Sequence, residues 1–244
     1  SDETLKPECD KYSGHTWLKE ICEAFIAEGL APRYRQEGRP WQEGDTDGIH
    51  WNGTSHATLV RPEILKLMYQ AGCCDLVYGY ESFSPQVLRR LGKGATRETN
   101  IRSLKWTLES GIRPIPNQMM GFPTEDFDSL RDCMRAWEEL GIVVKPFFAT
   151  PYPGSYWFHL YRNKILSQYD GNLESFLIAL GDATDITGVI SENFNAVELY
   201  GLREIMIRQD HEKFDEYERQ WKRAHPGADA MATSDLLERR AKSA

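Results

Sequence analysis

Apolar positions along this chain switch between two periods, and the switch repeats. From His15 to Leu30, residues Trp17, Leu18, Ile21, Cys22, Phe25 and Ile26 recur at helical spacing and predict a helix that ends at Gly29. Residues 31–48 are polar and rich in glycine, proline and charge, and read as a loop. Ile49 to Val60 carries β-branched and aromatic residues, interrupted by Gly53, and predicts a strand. Pro62 then stands where a helix starts and a missing N–H costs nothing. Ile64, Leu65, Leu67 and Met68 make that helix's stripe, and Gly72 stops it. Asp75 to Glu81 predicts a short buried strand. Ser84-Pro85 opens the next helix, with Ser84 as N-cap and Val87, Leu88 and Leu91 on one side, before Gly92-Lys93-Gly94 breaks it. Thr96 is expected to cap a helix that runs to Glu109 with Ile101, Leu104 and Leu108 on one face. Arg113 to Met120 predicts a strand, weakened in its first half by Pro114 and Pro116. Asp126 to Leu140 follows as a helix with Leu130, Cys133, Met134 and Trp137 inward and Gly141 as C-cap. Val143 to Thr150 predicts the last strand.

Strand and helix alternate at a spacing of about 30 residues, which points to an α/β fold with a parallel sheet of about four strands. After Gly154 the signals are helical only. The chain therefore divides into residues 1–155, a helical extension over 156–226, and a polar tail over 227–244 that is expected to be frayed or disordered.

Charge narrows the partners. The formal net charge is -8, with no dense Lys/Arg block, which speaks against a nucleic-acid backbone or an anionic membrane. No apolar run reaches the roughly 18 residues of a membrane span, and a cytoplasmic setting is expected. The five cysteines (Cys9, Cys22, Cys73, Cys74 and Cys133) are odd in number and irregularly spaced, and read as buried free thiols. His50 and His56 read as hydrogen-bonded rim or core residues, and His159, His211 and His225 as surface. Trp17, Trp106 and Trp137 read as helix-face core.

The candidate chemistry lies at the strand ends. Side chains alternate faces along a strand, so Val77, Gly79 and Glu81 point one way, as do Asn117 and Met119. Gly79 clears space, and Glu81 offers a carboxylate to hydroxyls or an ammonium group. Gly121 lets backbone approach a ligand closely. The stiff Pro151-Tyr152-Pro153-Gly154 run can hold backbone groups beside a flat base. Together these suit a nucleoside with an amino-acid tail. Each has a plainer reading as well: Glu81 as a cap carboxylate, Gly121-Phe122-Pro123 and Pro151 to Gly154 as ordinary turns.

Taken in order, five runs resemble a known family: Leu67-Met68-Tyr69-Gln70-Ala71-Gly72-Cys73, Tyr78-Gly79-Tyr80-Glu81-Ser82, Leu91-Gly92-Lys93-Gly94, Met120-Gly121-Phe122-Pro123-Thr124-Glu125 and Thr150-Pro151-Tyr152-Pro153-Gly154-Ser155. They are similar to the second half of radical S-adenosylmethionine (SAM) enzymes, in the subgroup that carries a cobalamin-binding domain. The resemblance implies a partial (β/α) TIM-like barrel spanning the second to sixth βα units, with the strands seen here as its third to sixth. It implies that Glu81 and Ser82 sit by the ribose and methionyl part of SAM and that Met119 touches the adenine; Asn117, on the same face as Met119 by strand alternation, is a further cofactor-binding candidate. Gly121 and Pro123 would shape the turn, and backbone at Pro151 and Tyr152 would complete the adenine pocket. The implied chemistry is reductive cleavage of SAM by a [4Fe–4S] cluster to a 5′-deoxyadenosyl radical, with methyl transfer common in the cobalamin subgroup and a small molecule as substrate. The family's CxxxCxxC cluster motif does not occur in this sequence, and Thr124 stands where the subgroup usually has glycine. The expectation is a fragment whose partners are the missing N-terminal barrel half and a cobalamin domain, with no residue singled out as catalytic or as a metal ligand. A non-catalytic partner subunit that kept the fold, and a β/α-barrel enzyme of another class, stay open as alternatives.

Overall fold

A computed structural model describes residues 17–226. The first elements are helix α1 (Trp17–Ala27), a short α2 (Arg33–Gln36), strand β1 (Trp51–Ser55), α3 (Pro62–Gln70) and β2 (Cys73–Glu81). Then come α4 (Pro85–Leu91), α5 (Arg97–Glu109), β3 (Arg113–Met120), α6 (Phe127–Leu140) and β4 (Phe147–Phe148). Four helices follow: α7 (Tyr156–Ser167), α8 (Leu173–Ala179), α9 (Ala196–Ile207) and α10 (His211–Ala224). The strands form one four-stranded sheet in the order β1-β2-β3-β4, and β1–β2 and β2–β3 pair in parallel. This is the α/β alternation expected, with strands adjacent in chain order as in a stretch of β/α barrel. The expected 227–244 tail, His15 and Cys9 lie outside the described residues.

The chain separates into two compact units: residues up to 119 with 135–144, and residues 120–134 with those from 145 onward. In the first unit, β2 alternates strictly from Asp75 onward. Leu76, Tyr78 and Tyr80 are buried, while Val77, Gly79 and Glu81 are half-buried on the other face. The buried tyrosines stack at 5.1 Å. Tyr78 and Tyr80 meet Thr107 Oγ1 and Ser103 Oγ of α5 at 2.7 and 2.9 Å. Burial pushes both phenols well above the ordinary tyrosine range. One face of β2 is thus tied to α5, and the other is half-buried.

The periodicity holds best where it is long. α5 carries its expected cap, with Thr96 Oγ1 accepting from Thr99 N–H at 3.2 Å. Ser84 occupies the N-cap of α4 but makes no side-chain cap bond; instead Ser84 N–H donates to Ser82 Oγ at 3.1 Å. Trp137 is fully buried, but Trp17 is exposed, as is Leu108. Cys22, Cys73 and Cys133 are buried free thiols, and Cys74 is half-buried.

Two strands are shorter than their patterns. β1 stops at Ser55 because the next residues turn: Leu59 N–H donates to His56 O at 3.0 Å, and Thr58 Oγ1 lies 2.8 Å from His56 Nδ1. β4 keeps only Phe147–Phe148, with Pro146 just before it. β3 runs its full expected length despite Pro114 and Pro116, which stand in register with Leu76 and Tyr78. Successive N–H groups point to opposite edges of a strand, so two prolines at alternate positions strip donors from one edge only. The edge paired with β2 is intact.

Candidate functional site

The site residues in the first unit come from the carboxyl ends of β2 and β3. Gly79 is in register with Asn117, and Glu81 with Gln118, the register slipping by one between Gly79 and Glu81. That slip has a local cause. Glu81 adopts φ +60°, and Ser82 N–H donates to Tyr80 O at 2.6 Å, closing a three-residue turn around Glu81. A positive φ at a residue with a Cβ is a costly conformation that persists only when the surroundings impose it, and such residues gather at ligand sites. The turn folds the Glu81 side chain back over Gly79. A Cβ built on Gly79 would stand 3.1 Å from Glu81 Oε1 and 3.6 Å from Lys93 Nζ. Glu81 Oε1 is ion-paired with Lys93.

Asn117 and Met119 are half-buried on the same face as Gly79, whereas Gln118 and Met120 are buried on the other. The indole of Trp137 donates to Gln118 Oε1 at 2.7 Å. The fold therefore brings Glu81, Asn117 and Met119 together on an open face. Ser82 is placed differently: it is fully buried, its Oγ turned to the start of α4 and its carbonyl accepting from Asn100 Nδ2 at 3.1 Å. Its contribution is to the shape of the turn.

In the second unit, Gly121 and Pro123 are buried, and the turn they form is held from two sides. Gly121 has φ +87°, and its N–H donates to Glu125 Oε2 at 2.6 Å. Glu125 is fully buried, and its Oε1 has no partner. Burial pushes its carboxyl up to about 8, against the opposing pull of the Gly121 N–H. Residues 190–199 dock on the turn. Glu192 N–H donates to Pro123 O and Asn193 Nδ2 to Glu125 O, both at 2.8 Å, and a Cβ on Gly121 would stand 3.2 Å from Leu199. The end of β4 reaches the end of β3 through Ala149 N–H and Met120 O at 2.8 Å. Pro151 is buried after it, and Tyr152 is exposed with its hydroxyl donating to Gly181 O at 3.1 Å. Lys93 and Glu125 carried no role in the reading of the sequence. Their proximity to Gly79 and Gly121 is made by turns that hydrophobic periodicity does not encode.

A [4Fe–4S] cluster does not fit these residues: no group of three or more His, Cys, Asp or Glu side chains able to hold a metal ion occurs among the described residues. The Glu81 carboxylate lies against Gly79, and Asn117 stands beside Gly79 in register on β3. Among the described residues no helix is long and apolar enough to cross a membrane.

The chain is similar to several known proteins. Residues 18–136 match the radical SAM superfamily model. An uncharacterized methyltransferase of Pyrococcus horikoshii is 30% identical over 139 residues, covering 56% of this chain and 28% of that protein. The bacteriochlorophyllide d C-12(1)-methyltransferase of Chlorobaculum tepidum is 27% identical over 124 residues, covering 48% of this chain and 26% of that protein. The chain thus spans about a quarter of the length of these curated relatives. Among solved structures, the radical SAM methyltransferase TsrM from Kitasatospora setae, with tryptophan and a SAM analogue bound, is 20% identical. That match has a TM-score of 0.41 and covers 56% of this chain and 24% of that one.

Proposed function

We propose, from the premise that residues 18–136 belong to the radical SAM superfamily, that this chain supplies the SAM-binding second half of a methyl-transferring enzyme. The observation that carries the reading is the turn at Glu81, which spends backbone strain to lay a carboxylate over a glycine on the open face of a parallel sheet. Both curated relatives are named methyltransferases, which supports methyl transfer as the reaction class. In that family a bound cluster and SAM supply a radical, and in its cobalamin subgroup cobalamin would serve as a methyl carrier. This chain's own part is to bind and orient. Glu81 would accept hydrogen bonds from ribose hydroxyls or the ammonium group, Asn117 would bond the ligand from the neighbouring strand, and Met119 would give apolar contact to the base. The base-binding roles of Gly121, Pro123, Pro151 and Tyr152 are a separate part of the proposal, as is the dependence of this chain on a cluster-bearing barrel half.

Calorimetric titration of the purified protein with SAM tests the reading. Saturable binding is expected, and Gly79→Val, which fills the space under the carboxylate, is expected to abolish it while leaving the melting temperature nearly unchanged. Binding that survives Gly79→Val, or none in the parent protein, overturns the proposal.

A further inference from the structure

We infer that Asn100 is a positioning residue of the site at the end of β2, clamping from behind the turn that aims Glu81; the inference rests on the SAM-binding reading of that site. α5 turns a polar stripe toward β2. Asn100, Ser103 and Thr107 stand at i, i+3 and i+7, one face of a helix, and all three are buried. Thr107 and Ser103 meet the phenols of Tyr78 and Tyr80. Asn100, one turn nearer the start of the helix, meets backbone instead. Its Nδ2 donates to Ser82 O at 3.1 Å and, more weakly, to Tyr80 O at 3.5 Å. Those two carbonyls flank Glu81. Asn100 Oδ1 is buried without a hydrogen-bond partner. The amide thus keeps an orphaned acceptor, which is destabilising, while its N–H groups serve the turn.

The turn needs such a partner because the sheet does not supply one. The register slip leaves Tyr80 without a partner residue on β3, and Ser82 stands past the last paired residue. Both residues are buried, so their carbonyls are costly to leave unbonded. Tyr80 O accepts from Ser82 N–H inside the turn, a bond that closes while Glu81 holds φ +60°, an angle its Cβ disfavours. With Ser82 O bonded to Asn100, the far side of the turn is tied to α5, and relaxing Glu81 to an extended angle would break that bond. Asn100 lies on the face of β2 that carries Tyr78 and Tyr80, opposite the face of Gly79 and Glu81. It therefore reaches no ligand on the open face and acts through Glu81.

A double-mutant cycle on SAM binding tests this, using the purified protein and the variants Asn100→Leu, Asn100→Ser, Glu81→Ala and Asn100→Leu/Glu81→Ala. Asn100→Leu nearly keeps the volume and removes the donor. It is expected to weaken SAM about tenfold, the size of one buried hydrogen bond, and to add nothing in the Glu81→Ala background. Asn100→Ser is expected to weaken SAM similarly and carries the comparison if the leucine variant folds poorly. Amide exchange followed by NMR reads the clamp without ligand. The Ser82 amide should exchange about tenfold faster in the variants, while amides of 103–107 keep the parent's protection. An asparagine that serves stability alone would lower the melting temperature and leave both readouts as in the parent. That result overturns the inference, as does an unchanged Ser82 amide, a loss of affinity that persists without Glu81, or failure of both Asn100 variants to fold; SAM binding by the parent then still stands. Absence of SAM binding by the parent protein overturns both the inference and the reading beneath it.

Discussion

Glu125 is a carboxyl enclosed by protein, with one oxygen on the Gly121 N–H and the other unpartnered. Its ordinary value of 4.5 rises to about 8 on burial, so the folded chain keeps a proton that the unfolded chain gives up. The sign follows from linkage. Between about 4.5 and about 8 the folded state binds more protons, so stability falls as pH rises across that window, and it levels off above. The slope from this one group is at most about 1.4 kcal/mol per pH unit. Glu125→Gln keeps an acceptor for Gly121 and has no proton to lose. Chemical denaturation at a series of pH values from 5 to 9 should show the decline in the parent and a flatter curve in the variant. None of this is legible from the run Met120 to Glu125, which reads as a turn. Residues some 70 positions away dock on the turn that holds Glu125, through Asn193 and Glu192. Glu81 is half legible: alternation along β2 places its face, but the left-handed turn that aims it is not a propensity of glutamate.

Elements were most readable where a period runs long and a cap closes it. β3 and α5 stand where their patterns place them, and Thr96 caps as its residue type suggests. α9 shows the full device. Asn195 Oδ1 accepts from Glu198 N–H at 3.0 Å while Glu198 returns a bond to Asn195 N–H at 2.7 Å. Asn195→Ala should cost about 1 kcal/mol, read as a lower denaturation midpoint with unchanged slope. Gly72 ends α3 at φ +101°, and a Cβ there would lie 2.1 Å from the Ile49 carbonyl oxygen. Gly72→Ala is therefore expected to cost more than about 2 kcal/mol, combining a left-handed penalty with a backbone clash, and to show as poor folding yield. The stop at Gly72 is visible in the sequence; that the chain returns to touch it is not. Strand ends were the least readable elements. β1 is cut short by the His56–Thr58 turn and β4 stands directly after Pro146, both effects of single residues within apolar runs.

At the scale of the molecule, each unit has its own cohesion. In the second, Phe127 meets Phe194, Phe214 and Trp221 edge-on at 5.1, 5.8 and 5.4 Å, and Arg131 pairs with Asp215 and Glu218 of α10. The sequence of α10 looks solvated because its charges outnumber its two buried anchors, Phe214 and Trp221. In the first unit, β1 is the end of the sheet, and no strand lies on its outer side among the described residues. Hydrogen exchange should separate the strands: amides of 51–55 that face outward should exchange fast, and those of 74–80 should be among the slowest. Uniform protection of both strands would show that another strand covers β1 in solution.

By itself the sequence determined the α/β alternation, the faces of β2 and β3, and the family resemblance, because all three depend on the order and period of residue types along the chain. It took the folded chain to show that Lys93 meets Glu81, that Glu125 is fully buried with Asn193 bonded to its carbonyl, and that Ser82 turns inward. Those are contacts between segments distant in the chain or set by one unusual backbone angle. Local preference carries no record of them; the packed whole imposes them.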